Sequence, residues 1–423
     1  MRDALPAFCQ SGLSIHPAAM RLATVDLRSR RVAWLILLFV LLGGTSSTLA
    51  FTTPAKSDVA SSSSDRARAQ AALNALQSWY VPSSGLYRTT GWWNSANAIT
   101  ALANFSRVNH SMQYLPLFAN TLHAAQASPD GSPGFLNNYY DDEGWWALAW
   151  IDVYDLTRDP AYLRMADSIF SDMQVGWDAS TCGGGVWWSK KKKEKNAIEN
   201  EIFLAVAASL ANRNPDAAKR RDDLAWAHKE WAWFLSSGMI NGSNLVNDGL
   251  DLSVRSHCRN NGGNTWSYNQ GVILGGLAEL DKASPDPGLE KLAASIALSA
   301  IEHLTDHNGI LRETSEAHSG GDVPQFKGIL VRNLMILNSV SPDRRFETFI
   351  RANARSVWNN DRDKSNHFGF WWAGPFDLAD ASRQSAVLDL LIAAEAIDAD
   401  QQDSKAVSRN DSDRPLSQSL RTR

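Results

Sequence analysis

The chain has 423 residues, of which 44% are hydrophobic, and its formal net charge at pH 7 is −4. A chain of this length and composition can bury a large core, as one big domain or two ordinary ones. The negative net charge excludes the basic field with which proteins attract nucleic acids or anionic membranes, so we expect no nucleic-acid partner.

The first 50 residues are typical of a secretory signal peptide. Three arginines precede an apolar run at 32–42 that is too short to span a bilayer comfortably, and small residues follow as far as Ala50. We expect cleavage near Ala50, with Met1 or Met20 as the start of translation, and no stable membrane span in the mature chain. An uncleaved signal anchor is the alternative. Residues 51–68 are rich in Ser and Ala and are predicted to form a flexible leader.

Apolar residues recur at helical spacing throughout residues 69–397. The pattern predicts twelve helices, at 69–79, 95–104, 114–126, 144–156, 160–173, 197–212, 220–235, 270–283, 290–304, 328–338, 344–358 and 382–395. Helices that are apolar on nearly every face alternate with helices that carry charges on one side. This alternation predicts six helical hairpins closed into an all-α (α/α)6 toroid, with the apolar helices as the inner ring. Residues 398–423 are polar and aperiodic, and are predicted to be a disordered tail.

Asp141 and Asp142 stand just before an apolar helix pattern, with pairs of aromatic residues on both sides. Paired carboxylates in an aromatic cleft are the catalytic groups of a glycosidase, whereas a lone acid at this place is more often a helix cap. Neighbouring residues of a regular helix point about 100° apart, so we expect the pair to straddle a loop–helix junction near Gly144. Mutual repulsion would then give one anion and one acid, with Glu143 as an acid of the first helical turn.

The predicted inner helices each begin with a polar or aromatic cluster. In a toroid these clusters meet at one rim, where amides can bind sugar hydroxyls and aromatic rings can stack on a pyranose. Individual amides there can equally be helix caps, and the two aspartates near Gly249 can cap a turn. We expect substrate contacts from Trp93, Asn94, Trp145, Trp187, Asn200, Asp248, Asp251, Tyr268, Asn269, Gln270, Lys327 and Trp371.

Metal and nucleotide chemistry lack support in the sequence, which has no HExxH, no CxxC pair and no Walker-type loop, so we expect no cofactor and no metal. His257 and Cys258 are too isolated for a zinc site, which needs three or four ligands. The basic run from Lys190 to Lys193 is predicted to be a solvated loop.

Cys182 and Cys258 are the only cysteines that remain once the leader is removed. In an oxidising compartment two cysteines on loops are expected to form a disulfide. Four Asn-x-Ser sequons are candidates for N-glycosylation, at Asn104, Asn109, Asn241 and Asn410.

Five segments of the chain resemble, in the same order, glycoside hydrolase family 76, the endo-α-1,6-mannanases and their fungal cell-wall relatives. The segments are 139–150, 182–188, 195–201, 267–271 and 325–328, and the resemblance extends over residues 69–397. It implies an (α/α)6 fold and hydrolysis with retention of configuration. It also implies that Asp141 is the nucleophile and Asp142 the general acid/base.

The resemblance further implies α-1,6-linked mannan, or another mannose-containing cell-wall glycan, as the substrate. We therefore expect a secreted monomeric glycosidase, outside the cell or associated with its wall. One alternative is a cell-wall transglycosylase acting on mannan or GPI-linked glycans, which the absence of a hydrophobic GPI-anchor tail at 413–423 weakens. A carbohydrate-binding protein without catalysis is the other, and the intact aspartate pair argues against it.

Overall fold

The computed structural model describes residues 59–313 and 321–412, with side chains from 65 to 313 and from 321 to 399. The predicted signal peptide and its cleavage site lie outside the described residues. The described part contains twelve α-helices, and each overlaps one of the twelve predicted helices. They are α1 (Val59–Gln77), α2 (Trp92–Val108), α3 (Leu115–Ala124), α4 (Tyr140–Thr157), α5 (Pro160–Val175), α6 (Ala197–Arg213), α7 (Ala217–Ser237), α8 (Ser267–Ala283), α9 (Pro287–His303), α10 (Phe326–Val340), α11 (Arg344–Asn360) and α12 (Ala381–Ser412).

Strands are few among the described residues. They form two short antiparallel pairs, β1 (Tyr80–Val81) with β2 (Leu86–Tyr87) and β3 (Leu250–Asp251) with β4 (Arg259–Asn260). A single 3-10 turn at Val323–Gln325 leads directly into α10. None of the described helices is long and apolar enough to cross a bilayer.

The even-numbered helices form a closed inner ring. Each packs against the next, from α2 through α4, α6, α8 and α10 to α12, and α12 packs against α2. The outer helices α5, α7, α9 and α11 pack on this ring from outside, as α1 does against α12. The ring confirms the predicted (α/α)6 toroid.

Glycines permit the close approach of the inner helices. A Cβ atom on Gly271 of α8 would lie 2.6 Å from the Cα atom of Leu330 in α10. A Cβ atom on Gly328 of α10 would overlap the backbone of Ala386 in α12. Larger residues at these two positions would push neighbouring inner helices apart and open the ring.

Local signals set the starts of the outer helices. The carboxylates of Asp159, Asp216, Asp286 and Asp343 accept backbone N–H groups at the starts of α5, α7, α9 and α11. Such caps satisfy N–H groups that have no partner within the helix. Among the inner helices, α6 begins with a capping box of Asn196 and Glu199.

Two predicted boundaries are wrong. Helix α1 begins at Val59, so residues 59–68 are helical rather than a flexible leader. Helix α12 continues to Ser412, so residues 398–412 are helical rather than disordered. The reason is long-range: α1 packs against α12, and the carboxylate of Asp398 in α12 pairs with Arg351 of α11. These contacts favour the helical state of α1 and of α12 as far as Asp398 despite the local polarity.

Candidate active site

A cleft of about 450 Å³ lies at the end of the ring where the inner helices begin. Among the described residues that line it, five are Asp or Glu and none is Lys or Arg. Helix N-termini carry partial positive charge and therefore favour carboxylates near them. The lining residues are Trp93, Tyr139, Asp141, Asp142, Trp145, Trp188, Glu194, Asn196, Ile198, Asp248, Tyr268, Asp322 and Phe326.

Asp141 and Asp142 both lie in the first turn of α4, which begins at Tyr140. The prediction that they straddle a loop–helix junction near Gly144 is therefore wrong. The helix begins earlier because the preceding segment is held by a bridge between Tyr139 and Ser189. Gly144 instead permits close packing, since a Cβ atom there would overlap the Ile202 side chain of α6.

The two carboxylates have different hydrogen-bond donors. The indole N–H of Trp188 donates to Oδ2 of Asp141 at 3.1 Å, and backbone N–H groups of the first turn also lower the pKa of this carboxyl. Burial outweighs these bonds and raises the pKa of Asp141 to about 7. For Asp142, burial and the neighbouring charge of Asp141 raise the pKa to about 8, opposed by one bond of 2.6 Å from the amide of Asn137. The anionic form is thus better stabilised on Asp141, and the proton on Asp142.

Glu143 is a first-turn acid, as predicted, but it has a structural partner. Its fully buried carboxylate accepts the backbone N–H of Asn137 and the ammonium of Lys190, each at 2.8 Å. Lys190 also pairs with Asp172 at 2.9 Å. The prediction of a solvated loop is therefore wrong at Lys190, whose ammonium joins the loop before α6 to the start of α4. The next three lysines are exposed, as predicted.

Asp322 is a cleft carboxylate that the sequence reasoning missed. Its Oδ1 atom accepts the indole N–H of Trp93 at 3.1 Å, on the turn that precedes α10. Its negative charge raises the pKa of both Asp141 and Asp142. Its position three residues before segment 325–328, one of the five segments that carry the family resemblance, is the signal that could have found it.

Four of the twelve predicted substrate-binding residues come together in the cleft, namely Trp93, Trp145, Asp248 and Tyr268. The rings of Trp93 and Trp145 stack with centroids 5.6 Å apart, and Tyr268 stacks on Phe326 at 3.8 Å. The cleft therefore has aromatic walls on two sides, as predicted. Tyr139, Trp188, Glu194, Asn196 and Phe326 also line it and were not among the predicted residues.

Asn200 and Gln270 were predicted to bind substrate and instead bind backbone. The buried Asn200 amide accepts from the N–H of Val186 at 2.7 Å and donates to its C=O at 3.2 Å. Gln270 makes the same two bonds to Val246, at 2.7 and 2.8 Å. Each amide holds the bridged turn before its own helix, where a buried N–H and C=O would otherwise lack partners. We call Asn200 and Gln270 the amide clamps.

Asn94 and Asn269 also lie outside the cleft lining. The Asn94 amide donates to the side-chain oxygen of Gln325 at 2.9 Å, which joins α2 to the turn before α10. Asn269 is fully buried, and neither polar atom of its side chain has a hydrogen-bond partner among the described residues. Both amides are buried, and neither lines the cleft.

The structure does not bring the predicted contact residue Trp187 into the cleft, which its neighbour Trp188 lines instead. The Trp187 indole is buried beneath the Lys195 ammonium, 4.8 Å from the ring centroid. Successive side chains of an extended segment point to opposite sides, so only one of two adjacent tryptophans can face the substrate.

Lys327, Trp371 and Asp251 also lie outside the cleft lining. The buried ammonium of Lys327 donates to the C=O of Phe370. Trp371 packs beside the cleft against a small apolar cluster that includes Phe370. Asp251 is exposed and accepts the N–H of Ser253 at 2.9 Å, so it caps a turn.

The predicted disulfide between Cys182 and Cys258 is confirmed. The two Cα atoms are 5.1 Å apart, and the cysteines are separated by 76 positions in the sequence. The bond joins the loop before α6 to the loop before α8. Closing a loop of this size stabilises the fold by roughly 4 kcal/mol in the chain-entropy model.

The glycosylation sites stay predictions. Asn104 lies within α2, and Asn109 follows its last residue. Asn241 lies in a turn and accepts the N–H of Ser243 at 2.9 Å. Asn410 lies in the last part of α12, where side chains are outside the described residues.

A pair of buried carboxylates in an aromatic cleft, at the rim of a closed toroid of helical hairpins, defines a glycosidase of the (α/α)6 class. The chain belongs to glycosyl hydrolase family 76, whose sequence profile matches residues 63–407. The family resemblance seen in the five sequence segments is thereby confirmed.

Known relatives agree with this family. The mannan endo-1,6-α-mannosidase DCW1 of Candida albicans is 29% identical over 206 residues, which cover 45% of this chain and 44% of that protein. Less than half of that relative's length is therefore matched. The enzyme of the same name from Saccharomyces cerevisiae is 25% identical over 337 residues, which cover 73% of this chain and 72% of that protein.

Solved structures show the same fold. The α-1,6-mannanase GH76A of Salegentibacter sp. HEL1_6 is 25% identical with a TM-score of 0.70, over 78% of this chain and 98% of that one. An inactive variant of the same mannanase, with two consecutive aspartates changed to asparagine, has been solved with α-1,6-mannotriose. It gives a TM-score of 0.70 at 24% identity, over 78% of this chain and 99% of that one.

Proposed function

We propose that this chain is a retaining glycosidase that hydrolyses α-1,6-mannosidic linkages. The observation that carries the proposal is the pair Asp141 and Asp142, which share an aromatic cleft but have unlike hydrogen-bond donors. The names of the relatives support the linkage and the sugar.

The inactive Salegentibacter variant supports the choice of this pair, because it lacks two consecutive aspartates and is named as bound to α-1,6-mannotriose. This chain has a second consecutive pair, Asp222 and Asp223, but it lies on the outer helix α7 and outside the cleft. Of the two pairs, only Asp141 and Asp142 can therefore reach a sugar bound in the cleft.

In the first step, an oxygen of the Asp141 carboxylate attacks the anomeric carbon. The bond from that carbon to the leaving oxygen breaks while the Asp142 carboxyl donates its proton to this oxygen. In the second step Asp142, now ionised, takes a proton from water, whose oxygen displaces Asp141 and regenerates it as a carboxylate. Two inversions at the same carbon leave the product in the α configuration.

The raised pKa of Asp142 suits the acid, whereas the burial that raises the pKa of Asp141 opposes the ionisation that a nucleophile needs. A general acid must keep its proton near neutral pH, which burial and the charge of Asp141 achieve for Asp142. The nucleophile must be ionised, and the indole of Trp188 together with the first-turn N–H groups stabilises that form of Asp141. The assignment of the two roles thus rests on the donors that each carboxylate has.

The other cleft residues supply binding. The stacked pairs Trp93–Trp145 and Tyr268–Phe326 offer flat apolar faces for sugar rings. The carboxylates of Asp248 and Asp322 can accept hydrogen bonds from sugar hydroxyls. A long glycan would therefore be held between aromatic walls with its hydroxyls directed toward acceptors.

The place of action that we propose is outside the cell, on mannan or another mannose-containing wall glycan. The disulfide between Cys182 and Cys258 supports an oxidising compartment, because such bonds are rare in the reducing cytosol. The apolar segment at 32–42, with small residues after it, supports export.

Incubation of the purified protein with linear α-1,6-mannan tests the proposal. We expect new reducing ends, loss of at least about 10³-fold in Asp141→Asn, and the α-anomer as the first product in proton NMR. The matched control Asp222→Asn, on α7, should keep full activity. If the β-anomer formed first, the retaining mechanism would be wrong. Mannosyl transfer to added oligosaccharide without new reducing ends would make the protein a transglycosylase.

A further inference from the structure

A second cavity, of about 420 Å³, lies at the opposite end of the ring, where the inner helices end. We call it the axial cavity, because all six inner helices contribute to its lining. The representative side chains, from α2 to α12 in order, are Arg107, Asp152, Arg213, Glu279, Arg332 and Asp389. The proposed hydrolysis uses none of them.

The inner part of this cavity has an unused carboxylate oxygen. Asp389 is 4% exposed; its Oδ2 atom is 3.3 Å from a guanidinium nitrogen of Arg332, while its Oδ1 atom has no hydrogen-bond partner among the described residues. Arg332 also donates to the side-chain oxygen of Asn97, so its charge is shared. Asp389 can therefore accept a further donor.

Asp152 of α4 adds a second carboxylate near Asp389, since its charge raises the pKa of Asp389. Its one ion-pair partner among the described residues is Arg107, at the long distance of 3.7 Å, and the side chain of Arg107 is 48% exposed. Burial raises the pKa of both carboxyls, to about 7 for Asp389 and about 6 for Asp152. The inner cavity thus places two carboxyl groups, those of Asp389 and Asp152, beside the guanidinium of Arg332.

The other cations of the cavity are already paired. Arg213 contacts Asp155 at 2.8 Å and Glu279 at 2.6 Å, and Lys282 contacts Glu279 at 2.9 Å. The C-terminal ends of the inner helices, which carry partial negative charge, also point toward this end of the ring. A positively charged ligand is therefore favoured over an anion.

We propose that the axial cavity binds a small organic ammonium ion, with its N–H groups donating to Asp389 and Asp152. The carbon atoms of such an ion would contact Met335, Ile336 and Ile392, which line the same cavity. A metal ion fits less well, because no group of three or more His, Cys, Asp or Glu side chains in the described part of the chain is placed to hold one. This site is independent of the proposed hydrolysis.

Two probes of almost equal shape test the charge requirement. Tris(hydroxymethyl)aminomethane carries one ammonium group where pentaerythritol carries a fourth hydroxymethyl group. Isothermal titration of the full protein in phosphate buffer should show binding of the amine, and at least tenfold weaker binding of the neutral tetrol. Equal affinities, or no heat of binding with the amine at millimolar concentrations, would overturn the proposal.

Variants locate the bound amine. Asp389→Asn should weaken its binding at least tenfold, whereas Asp322→Asn, which removes a carboxylate of the cleft, should leave its affinity unchanged. The reverse result would place the amine in the cleft and overturn the proposal. If Asp389→Asn does not fold, as judged by circular dichroism, Met335→Trp serves instead, because the larger ring fills the cavity and leaves both carboxylates intact. Unchanged amine binding in Met335→Trp would also contradict the site.

Discussion

At the residue scale, one step along the first turn of α4 separates two carboxylates with different surroundings. Asp141 accepts from the indole of Trp188, and Asp142 from the amide of Asn137. Both donors come from loops that flank the helix start rather than from α4 itself. The donor to Asp141 comes from 47 positions later in the chain, and the donor to Asp142 from five positions earlier. These two donors are the basis of the proposed roles.

Asp142→Asn should separate the two chemical steps. The variant cannot protonate a poor leaving group, so hydrolysis of mannan should fall by about 10²–10⁴-fold. An aryl α-mannoside with a good leaving group needs no proton and should still form the mannosyl-enzyme. Added azide should then release α-mannosyl azide, measured by NMR. Formation of α-mannosyl azide by Asp141→Asn, and of β-mannosyl azide by Asp142→Asn, would reverse the two assignments.

Asp322→Asn should move the pH profile of kcat/KM to lower pH. A negative charge near a carboxyl disfavours its ionisation, and Asp322 raises the pKa of both Asp141 and Asp142. Its removal should shift both limbs by about 0.5–1 pH unit toward acid. The asparagine oxygen can still accept the indole N–H of Trp93, so the wall of the cleft is kept.

The matched control for this shift is Asp251→Asn, because that carboxylate is exposed and lies outside the cleft. Its pH profile should match that of the unchanged protein. A shift of both variants to the same extent would mean that overall charge is responsible rather than the position of Asp322.

At the element scale, periodicity predicted the existence of all twelve helices because each apolar face is a local property of the sequence. The ends of α1 and α12 could not be predicted in the same way. The two helices pack against each other although they are more than 300 positions apart in the chain. Only the folded ring brings those helices together.

Eight of the twelve predicted substrate-binding residues do not line the cleft, and the amide clamps show why the sequence could not exclude them. An amide at the start of an inner helix can bind a sugar or hold the turn before it, and both roles need the same residue type at the same place. Asn200 and Gln270 hold turns. The choice depends on which side of the helix start faces the cleft, and that follows from the closed ring.

Gln270→Ala should therefore lower stability and spare catalysis. It leaves the buried N–H and C=O of Val246 without their side-chain partner, at a cost of about 2–4 kcal/mol. Thermal melting should show the loss, with kcat/KM of the folded protein unchanged. Trp188→Phe should lower kcat/KM with little change in melting temperature, because it removes the hydrogen-bond donor to Asp141 while keeping most of the aromatic ring. A tenfold fall in kcat/KM for Gln270→Ala at unchanged melting temperature would restore its predicted role in substrate binding.

At the scale of the whole molecule, the parallel inner helices give the ring two unlike ends. Their N-termini surround the acidic cleft, and their C-termini surround the axial cavity, which is lined by three arginines, one lysine and four Asp or Glu side chains. The excess of carboxylates at the N-terminal end agrees with the direction of the helix dipoles. The guanidinium of Arg332, which lines the axial cavity, lies 5.7 Å from the ring centroid of Trp145, which lines the cleft.

Buried acids should set the pH dependence of stability for the whole domain. Burial raises the pKa of Glu199 and Glu201 well above the usual range and that of Asp361 to about 8. An acid whose pKa is higher in the folded state than in the unfolded state binds its proton more tightly when folded. Its contribution is complete below the unfolded value near 4 and is lost as pH rises toward the folded value. Stability should therefore decline from about pH 5 to pH 8.

Glu279 limits stability at low pH, because Arg213 outweighs the effect of burial and lowers the pKa of Glu279 to about 2. Its contribution is present above the unfolded value near 4 and is lost as pH falls toward 2. The melting temperature should thus be highest near pH 4–5 and lower by about 5 °C or more at pH 8. Differential scanning calorimetry across this range measures the curve. Glu201→Gln removes one of the titrating groups and should reduce the decline above pH 5, whereas a melting temperature that rises from pH 5 to pH 8 would show that the buried acids do not control stability.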